Sequence, residues 1–255
     1  MKRPLILVTN DDGITAPGIR ALIDMTKEFG DIYVVAPDSP QSGMGHAVTI
    51  HSIIQTEEVL IEDDTRKEFS CSGTPVDCVK LAVSNILPRR PDLCVSGINH
   101  GSNSSINVIY SGTMSAAVEA GIEGIPAIGF SLQDFSYNAD FEAAREYIQK
   151  IIKQVLNNGL PKGVVLNVNI PKLPKEELKG IKVCRQADAK WIEEFDKRED
   201  PRGRTYYWMT GEFKNLDKGE DTDEFALSQG YISVVPVRYD LTAHHVLMEL
   251  KNWDL

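Results

Sequence analysis

The stretch Leu5-Ile6-Leu7-Val8-Thr9-Asn10-Asp11-Asp12-Gly13 decides the fold. Its first half is a short apolar run, and polar residues and a glycine end it at once. Such a run reads as a buried strand. Ile19, Leu22, Ile23 and Phe29 then recur at helical spacing up to Gly30. Ile32–Ala36, ended by Pro37, reads as a second strand. Leu93–Ser96, Pro126–Phe130 and Val164–Val168 read as further strands, with a helix between the first two near Thr113–Gly121. Phe141, Ala144, Ile148, Ile151, Ile152 and Val155 mark a long amphipathic helix before the last of them. Thr74-Pro75-Val76-Asp77 predicts another helix start, with a Thr cap, Pro at the first position and an acid three residues after the cap; that helix should stop at Pro88. Residues 47–70 suggest extra strands around the charged turn Glu62-Asp63-Asp64. Strand–helix alternation of this kind predicts an α/β fold with a doubly wound, mostly parallel sheet.

Past Pro171 the pattern changes. Residues 172–224 are charged and irregular, with a two-stranded element expected around Arg204–Phe213. Gly230–Val237 reads as a late strand, and Ala243, Val246, Leu247, Leu250 and Trp253 fall on one helical face. The expected division is a core over residues 1–170 and a C-terminal elaboration or assembly arm over residues 171–255.

A chain of 255 residues, 42% of them hydrophobic, buries a sizeable core without disulfide staples. The four cysteines, Cys71, Cys78, Cys94 and Cys184, include no C-x-x-C pair, so a zinc knuckle or redox motif is not supported. Free thiols in a reducing cytoplasm are expected. The apolar run after Met1-Lys2-Arg3-Pro4 is too short for a signal peptide, and no apolar run reaches the roughly 20 residues of a membrane span. The net charge of −10 argues against a basic clamp for long nucleic acid.

In an open parallel sheet, ligands bind beyond the carboxyl ends of the strands. Four polar segments fall there: residues 9–13, 37–46, 96–107 and 110–113. Asp11 and Asp12 repel each other unless a cation or donors offset them. One reading is a solvated turn with an Asp cap; the other is a hard divalent cation on oxygen ligands. Asn99, with Ser42 or Ser39, supplies neutral oxygens on neighbouring loops, a set that favours Mg²⁺ or Mn²⁺ over zinc. No Lys or Arg lies between Leu93 and Ser131, and only Arg20 and Lys27 lie between Thr9 and Thr56. An anion at these loops therefore has no Arg clamp. Ser111-Gly112-Thr113 at a helix start offers free N–H groups and the positive dipole end instead, or is a plain N-cap. Gly43, Gly45, Asn103 and Ser104 add similar donors.

Residues 1–130 carry 16 acids and 9 bases, so the more acidic half is the one expected to bind an anion; a cation and a helix N-terminus must supply the positive potential. The G-x-G-x-x-G, G-x-x-x-x-G-K-[ST] and G-x-S-x-G motifs are absent. His46 and His100 lie near the loops without a motif that fixes a role. Asp240 and His244, four apart, read as a structural pair.

These residues carry a family resemblance. Val8-Thr9-Asn10-Asp11-Asp12-Gly13-Ile14 with Ala16-Pro17-Gly18-Ile19 resembles the opening of the SurE (survival protein E) nucleotidases. Val35-Ala36-Pro37-Asp38 with Gln41-Ser42-Gly43, and Ser72-Gly73-Thr74-Pro75-Val76-Asp77-Cys78, match in the same order. So do residues 92–101, Tyr110-Ser111-Gly112-Thr113 and the tail Asp240-Leu241-Thr242-Ala243-His244. The resemblance implies a Rossmann-like core and a C-terminal hairpin-and-helix arm that builds homodimers or homotetramers. It implies a metal-dependent phosphomonoesterase acting on nucleoside 5′- or 3′-monophosphates, some members also shortening polyphosphate. It implies one divalent cation per subunit, with Asp11, Asp12, Ser42 and Asn99 at the ligand positions. Asp11, Asp12 and Asn99 are then the expected catalytic residues. Asn10, Gly43, Asn103, Ser111, Gly112 and Thr113 are the expected substrate contacts. Attack by bound water and an aspartyl-phosphate route both stay open, although Asn10 departs from the D-x-D opening of the haloacid dehalogenases. The alternatives are a metal-dependent glycosyl- or nucleotidyl-transferase, a Mg²⁺-binding regulatory module, or an assembly protein with a dead site.

Overall fold

The computed structural model describes residues 3–136 and 138–254. β1 (Leu5–Thr9) is buried along its whole length. Its alternating side chains feed two cores: Ile6 and Val8 enter one apolar cluster and Leu7 the other. α1 (Pro17–Thr26) starts on a proline, whose missing N–H is not needed in the first turn, and ends short of the predicted Gly30. β2 (Asp31–Pro37) follows, and the segment 47–70 yields β3 (Thr56–Val59) and β4 (Arg66–Cys71). α2 (Pro75–Leu81) has the full capping box: Thr74 Oγ1 accepts from the Asp77 N–H at 3.2 Å, and Asp77 Oδ2 accepts from the Thr74 N–H at 2.9 Å. A π-helical turn, Ala82–Ile86, carries it to just before Pro88.

β5 (Leu93–His100) runs past the predicted end at Ser96, because a register shift against its neighbour between Ser96 and Asn99 lets the polar end of the strand stay paired. α3 (Gly112–Ile122), β6 (Ala127–Leu132), α4 (Arg145–Asn158) and β7 (Val164–Ile170) complete the alternation. The first turn of the predicted long helix is 3₁₀, Glu142–Ala144, so the α-helix proper begins at Arg145.

Beyond residue 170 come β8 (Ile181–Val183), β9 (Ala189–Glu199), β10 (Thr205–Asn215), α5 (Asp223–Ser228), β11 (Ile232–Arg238) and α6 (Leu247–Leu250). β9 and β10 form a separate antiparallel ribbon, longer and starting earlier than the sequence indicates. The predicted apolar face of the tail is broken into the 3₁₀ turn His244–Val246 and the short α6, and neither buries a residue. Asp240 Oδ2 and His244 Nε2 meet at 2.8 Å.

The main sheet has the order β3-β4-β2-β1-β5-β6-β7-β11-β8. From β4 to β7 every neighbouring pair is parallel; β3 and β11 run antiparallel to β4 and β7. The chain builds outward from β1 through β2 to β4, then crosses back to lay β5 on the other side of β1. This is a doubly wound α/β fold whose strand order reverses between β1 and β5. All four cysteines are free and buried. Among the described residues no helix is long and apolar enough to cross a membrane.

Candidate functional site

A doubly wound sheet opens a crevice where its strand order reverses, because the loops leaving the two central strands diverge to opposite faces. Here that crevice lies past Thr9 and at the end of β5. It places Asp11 and Asp12 beside Asn99. A cleft of about 700 Å³ opens over it, lined at this end by Asp11, Ser42, Gly43, Asn99 and Ser111.

Asp11 is buried, 3% exposed. Thr113 Oγ1 donates to its Oδ1. Burial, aided by the charge of Asp12 and opposed by the bond from Thr113, pushes its carboxyl up to about 6. Asp12 is also raised, by burial, although the His100 N–H donates to its Oδ2 at 3.3 Å. Among the described residues neither acid has a Lys or Arg partner, and no Lys or Arg lines the cleft.

α3 reaches this pair with its N-terminus. Ser111 Oγ caps the helix by accepting from the Met114 N–H at 3.0 Å. Gly112 is required by proximity: a Cβ there would sit 2.7 Å from the Asp11 Cβ and 2.9 Å from its Oδ2. The Ser111 and Thr113 hydroxyls are thus engaged within the protein, one in the cap and one on Asp11. The free N–H groups of the first helical turn are what this end of α3 offers an anion.

The donor set fits a hard divalent cation. Two adjacent carboxylates, one buried and one half-buried, have no Lys or Arg partner among the described residues, an arrangement that a divalent ion relieves. Asn99 donates its amide N–H to the Gly101 carbonyl at 2.8 Å, which leaves its Oδ1 as an oxygen ligand. Ser42 adds a hydroxyl from the β2 loop. The Gln41 N–H on that loop donates to the Asp11 carbonyl at 2.7 Å, and His46 Nε2 lies 2.8 Å from Glu119 Oε2 on α3. His46 therefore ties the loop down and lies outside the cleft lining. Among the described residues no group of three or more His, Cys, Asp or Glu side chains could hold a metal, so a cation site here has to recruit neutral oxygens.

The other sequence-derived residues divide. Asn103 lines the cleft, but its Nδ2 donates to Ser131 Oγ and its N–H to Asn169 Oδ1, each at 2.8 Å, so its side chain braces the loop from below. Asn10 does not line the cleft; its Nδ2 donates to the Gly13 carbonyl at 2.9 Å and shapes the turn that presents Asp11 and Asp12. His100 does line it, packed edge-on against Phe141 with ring centres 5.1 Å apart.

Five lining residues were not singled out by the sequence: Gln133, Phe135, Trp191, Phe213 and Glu224. Trp191 and Phe213 project from the β9–β10 ribbon, their rings edge to face at 5.6 Å, and Trp191 Nε1 donates to Asn107 Oδ1 at 2.8 Å. Tyr110 and Phe135 add further exposed rings at the mouth. The cleft thus runs from an acidic, metal-suited end to an aromatic shelf.

A family model described as Survival protein SurE matches residues 6–193. A protein of Christiangramia forsetii named 5'-nucleotidase SurE is 71% identical over 255 residues, covering 100% of this chain and 98% of its own. A namesake from Flavobacterium psychrophilum is 68% identical over 255 residues, with coverage of 100% and 99%. The crystal structure of SurE protein from Aquifex aeolicus superposes with a TM-score of 0.84 at 42% identity, covering 97% of this chain and 98% of that one. The likeness carried by the strand-end motifs thus extends over the full length and the fold, and the chain belongs to the SurE family.

Proposed function

We propose that this chain is a metal-dependent phosphomonoesterase that hydrolyses nucleoside monophosphates to nucleoside and phosphate. One observation carries the reading: the buried Asp11, with the half-buried Asp12 next to it and no Lys or Arg partner for either among the described residues, meets the N-terminus of α3 at one end of a cleft whose other end is aromatic. The acidic end suits a phosphate only through a cation, and aromatic rings suit a nucleobase. The relatives named 5'-nucleotidase support the same substrate class.

Asp11, Asp12, Asn99 and Ser42 would hold one Mg²⁺ or Mn²⁺. When bound, such a cation polarises phosphoryl oxygens and lowers the pKa of an attacking water. The protein's own residues do the rest. The N–H groups of Gly112 and Thr113 face the remaining phosphoryl oxygens, where the helix dipole favours negative charge. Thr113 fixes the Asp11 carboxylate in one orientation, and burial raises its carboxyl to about 6, which increases its affinity for a proton. The expected result is phosphate release from a nucleoside monophosphate that chelator abolishes and Mg²⁺ or Mn²⁺ restores. No release from any monophosphate by folded, metal-supplied protein would refute the reading.

The approach of α3 makes a second prediction. In Gly112→Ala the new methyl displaces either Asp11 or the helix N-terminus, because neither a backbone turn nor a buried carboxylate can rotate clear of it. Phosphate release should fall about a hundredfold, the scale of losing one aligned donor in such a site. Steady-state kinetics with saturating metal would show it, and wild-type kcat would exclude it.

Assembly into a homodimer or homotetramer through the arm belongs to the same proposal. Its support is the apolar surface that the arm leaves uncovered: Phe195, Trp208 and Met209 on the ribbon, and Leu241, Met248 and Trp253 on the tail, are all exposed. Residence in a reducing cytoplasm is supported by four buried thiols without a disulfide.

A further inference from the structure

We infer that Glu224 reads the ribose hydroxyls of the substrate and makes this enzyme selective for ribonucleoside over 2′-deoxyribonucleoside 5′-monophosphates. The inference rests on the nucleotidase reading of the cleft. Asp11 and Glu224 are the two carboxylates that line it. Asp11 belongs to the phosphate end and Glu224 has no part there.

Glu224 is held in place by bonds at the start of α5. Its neighbour Asp223, fully buried, accepts from the Ser105 N–H at 2.8 Å and from the Ala187 N–H at 2.9 Å. These bonds pin the start of α5 to the β5–α3 loop and to the foot of the ribbon. Ser105 is held there at φ 53, in the left-handed region that a serine seldom adopts. Thr222 Oγ1 caps the same turn by accepting from the Phe225 N–H at 3.2 Å. Ser104 Oγ donates to Glu224 Oε1. Among the described residues no hydrogen bond reaches Oε2, and Glu224 lines the cleft. Desolvation raises the Glu224 carboxyl, opposed by the Ser104 bond and assisted by the charge of Asp223, so the fold bears a cost to keep an acid at this place.

A carboxylate oxygen without a donor accepts hydroxyl protons. A nucleoside 5′-monophosphate with its phosphate at Asp11 and its base on the Trp191–Phe213 shelf presents the 2′ and 3′ hydroxyls from the sugar between them. The negative charge of Glu224 also disfavours a phosphate at that place, which sets the direction in which the nucleotide lies.

The test is kcat/KM for adenosine 5′-monophosphate and its 2′-deoxy analogue with wild type, Glu224→Ala and Glu224→Gln, with p-nitrophenyl phosphate assayed in parallel. Wild type should prefer the ribonucleotide about tenfold or more, carried in KM, which is the scale of one charge-assisted hydrogen bond. Glu224→Ala should bring the ratio to about one. Glu224→Gln, which keeps an acceptor for Ser104, should bring it to an intermediate value. Inhibition of the wild type by adenosine and by 2′-deoxyadenosine needs no variant and should differ by the same factor. A wild type without ribose preference, or a preference that survives in Glu224→Ala, overturns the inference. Metal-dependent hydrolysis of p-nitrophenyl phosphate alongside either result leaves the phosphatase reading standing; no hydrolysis of any ester removes both.

Discussion

Asp11→Asn should lose about three orders of magnitude or more in phosphate release and, in the presence of chelator at pH 8, be more stable than wild type. The loss follows from replacing an anionic cation ligand and proton acceptor by a neutral amide in one change, while the Asn Oδ1 still accepts from Thr113. The gain in stability follows from linkage. Burial holds the Asp11 carboxyl up at about 6, above the ordinary carboxylate range, so folding favours its protonated form. A raised carboxyl costs nothing below its unfolded pKa. The cost grows as pH rises from about 4 to about 6 and is complete above that. A carboxyl raised from its ordinary value of about 4 to about 6 corresponds to about 3 kcal/mol, or roughly 6–12 °C in Tm for a chain of this size. Asparagine is isosteric and neutral, so it escapes that cost at pH 8 and gains nothing near pH 4. Mg²⁺ should then stabilise wild type and leave the variant unmoved. Asp12→Asn should lose activity comparably, with a smaller gain because Asp12 is less buried. Thermal unfolding at pH 4 and pH 8, with chelator or Mg²⁺, checks the sign. A variant less stable than wild type in chelator at pH 8, or one with full turnover in Mg²⁺, would contradict the account of the crevice given above.

The parts of this site that the sequence discloses are those with local causes. β1 shows because a strand flanked on both sides must be apolar throughout, and its end shows because Asn10, Asp11 and Asp12 break the run. The α3 terminus shows because Ser111 is a capping residue ahead of a helical segment. Nothing local reveals that the Thr113 hydroxyl turns to Asp11 rather than to the cleft, since both orientations suit a threonine in a first turn. Asn99 is visible as a polar residue after an apolar run, but not as part of a strand whose register shifts just before it. The aromatic shelf is hidden for another reason. Trp191 and Phe213 stand on a ribbon rich in Glu, Asp, Lys and Arg and exposed along most of its length, so no apolar alternation marks them. Bonds distant in sequence, Trp191 to Asn107 and Asp223 to Ser105 among them, bring that ribbon and Glu224 to the cleft.

The same coupling of fold and site gives the second large effect, at Gly18. α1 lies so close to β5 that a Cβ at Gly18 would overlap the Ile98 carbonyl oxygen and come within 3.0 Å of its carbon. The obstacle is backbone, which has no rotamer to yield. Gly18→Ala must therefore lift α1 off the sheet, opening the packing of Ile19, Leu22 and Ile23 in the core, or swing the Ile98 peptide and carry Asn99 with it. Overpacking of this kind costs about 3 kcal/mol or more, expected as a fall of roughly 6–12 °C in Tm. Because Asn99 follows Ile98 directly, the metal concentration for half-maximal phosphate release should rise several-fold as well. Ile19→Val separates the two consequences: it trims the same helix by one methylene, should cost about 1 kcal/mol, and should leave metal dependence where it was. If Gly18→Ala melts with wild type, α1 does not press on β5 as described; if it melts early but keeps wild-type metal dependence, the strain is taken up by the helix and Asn99 is held by β6 alone.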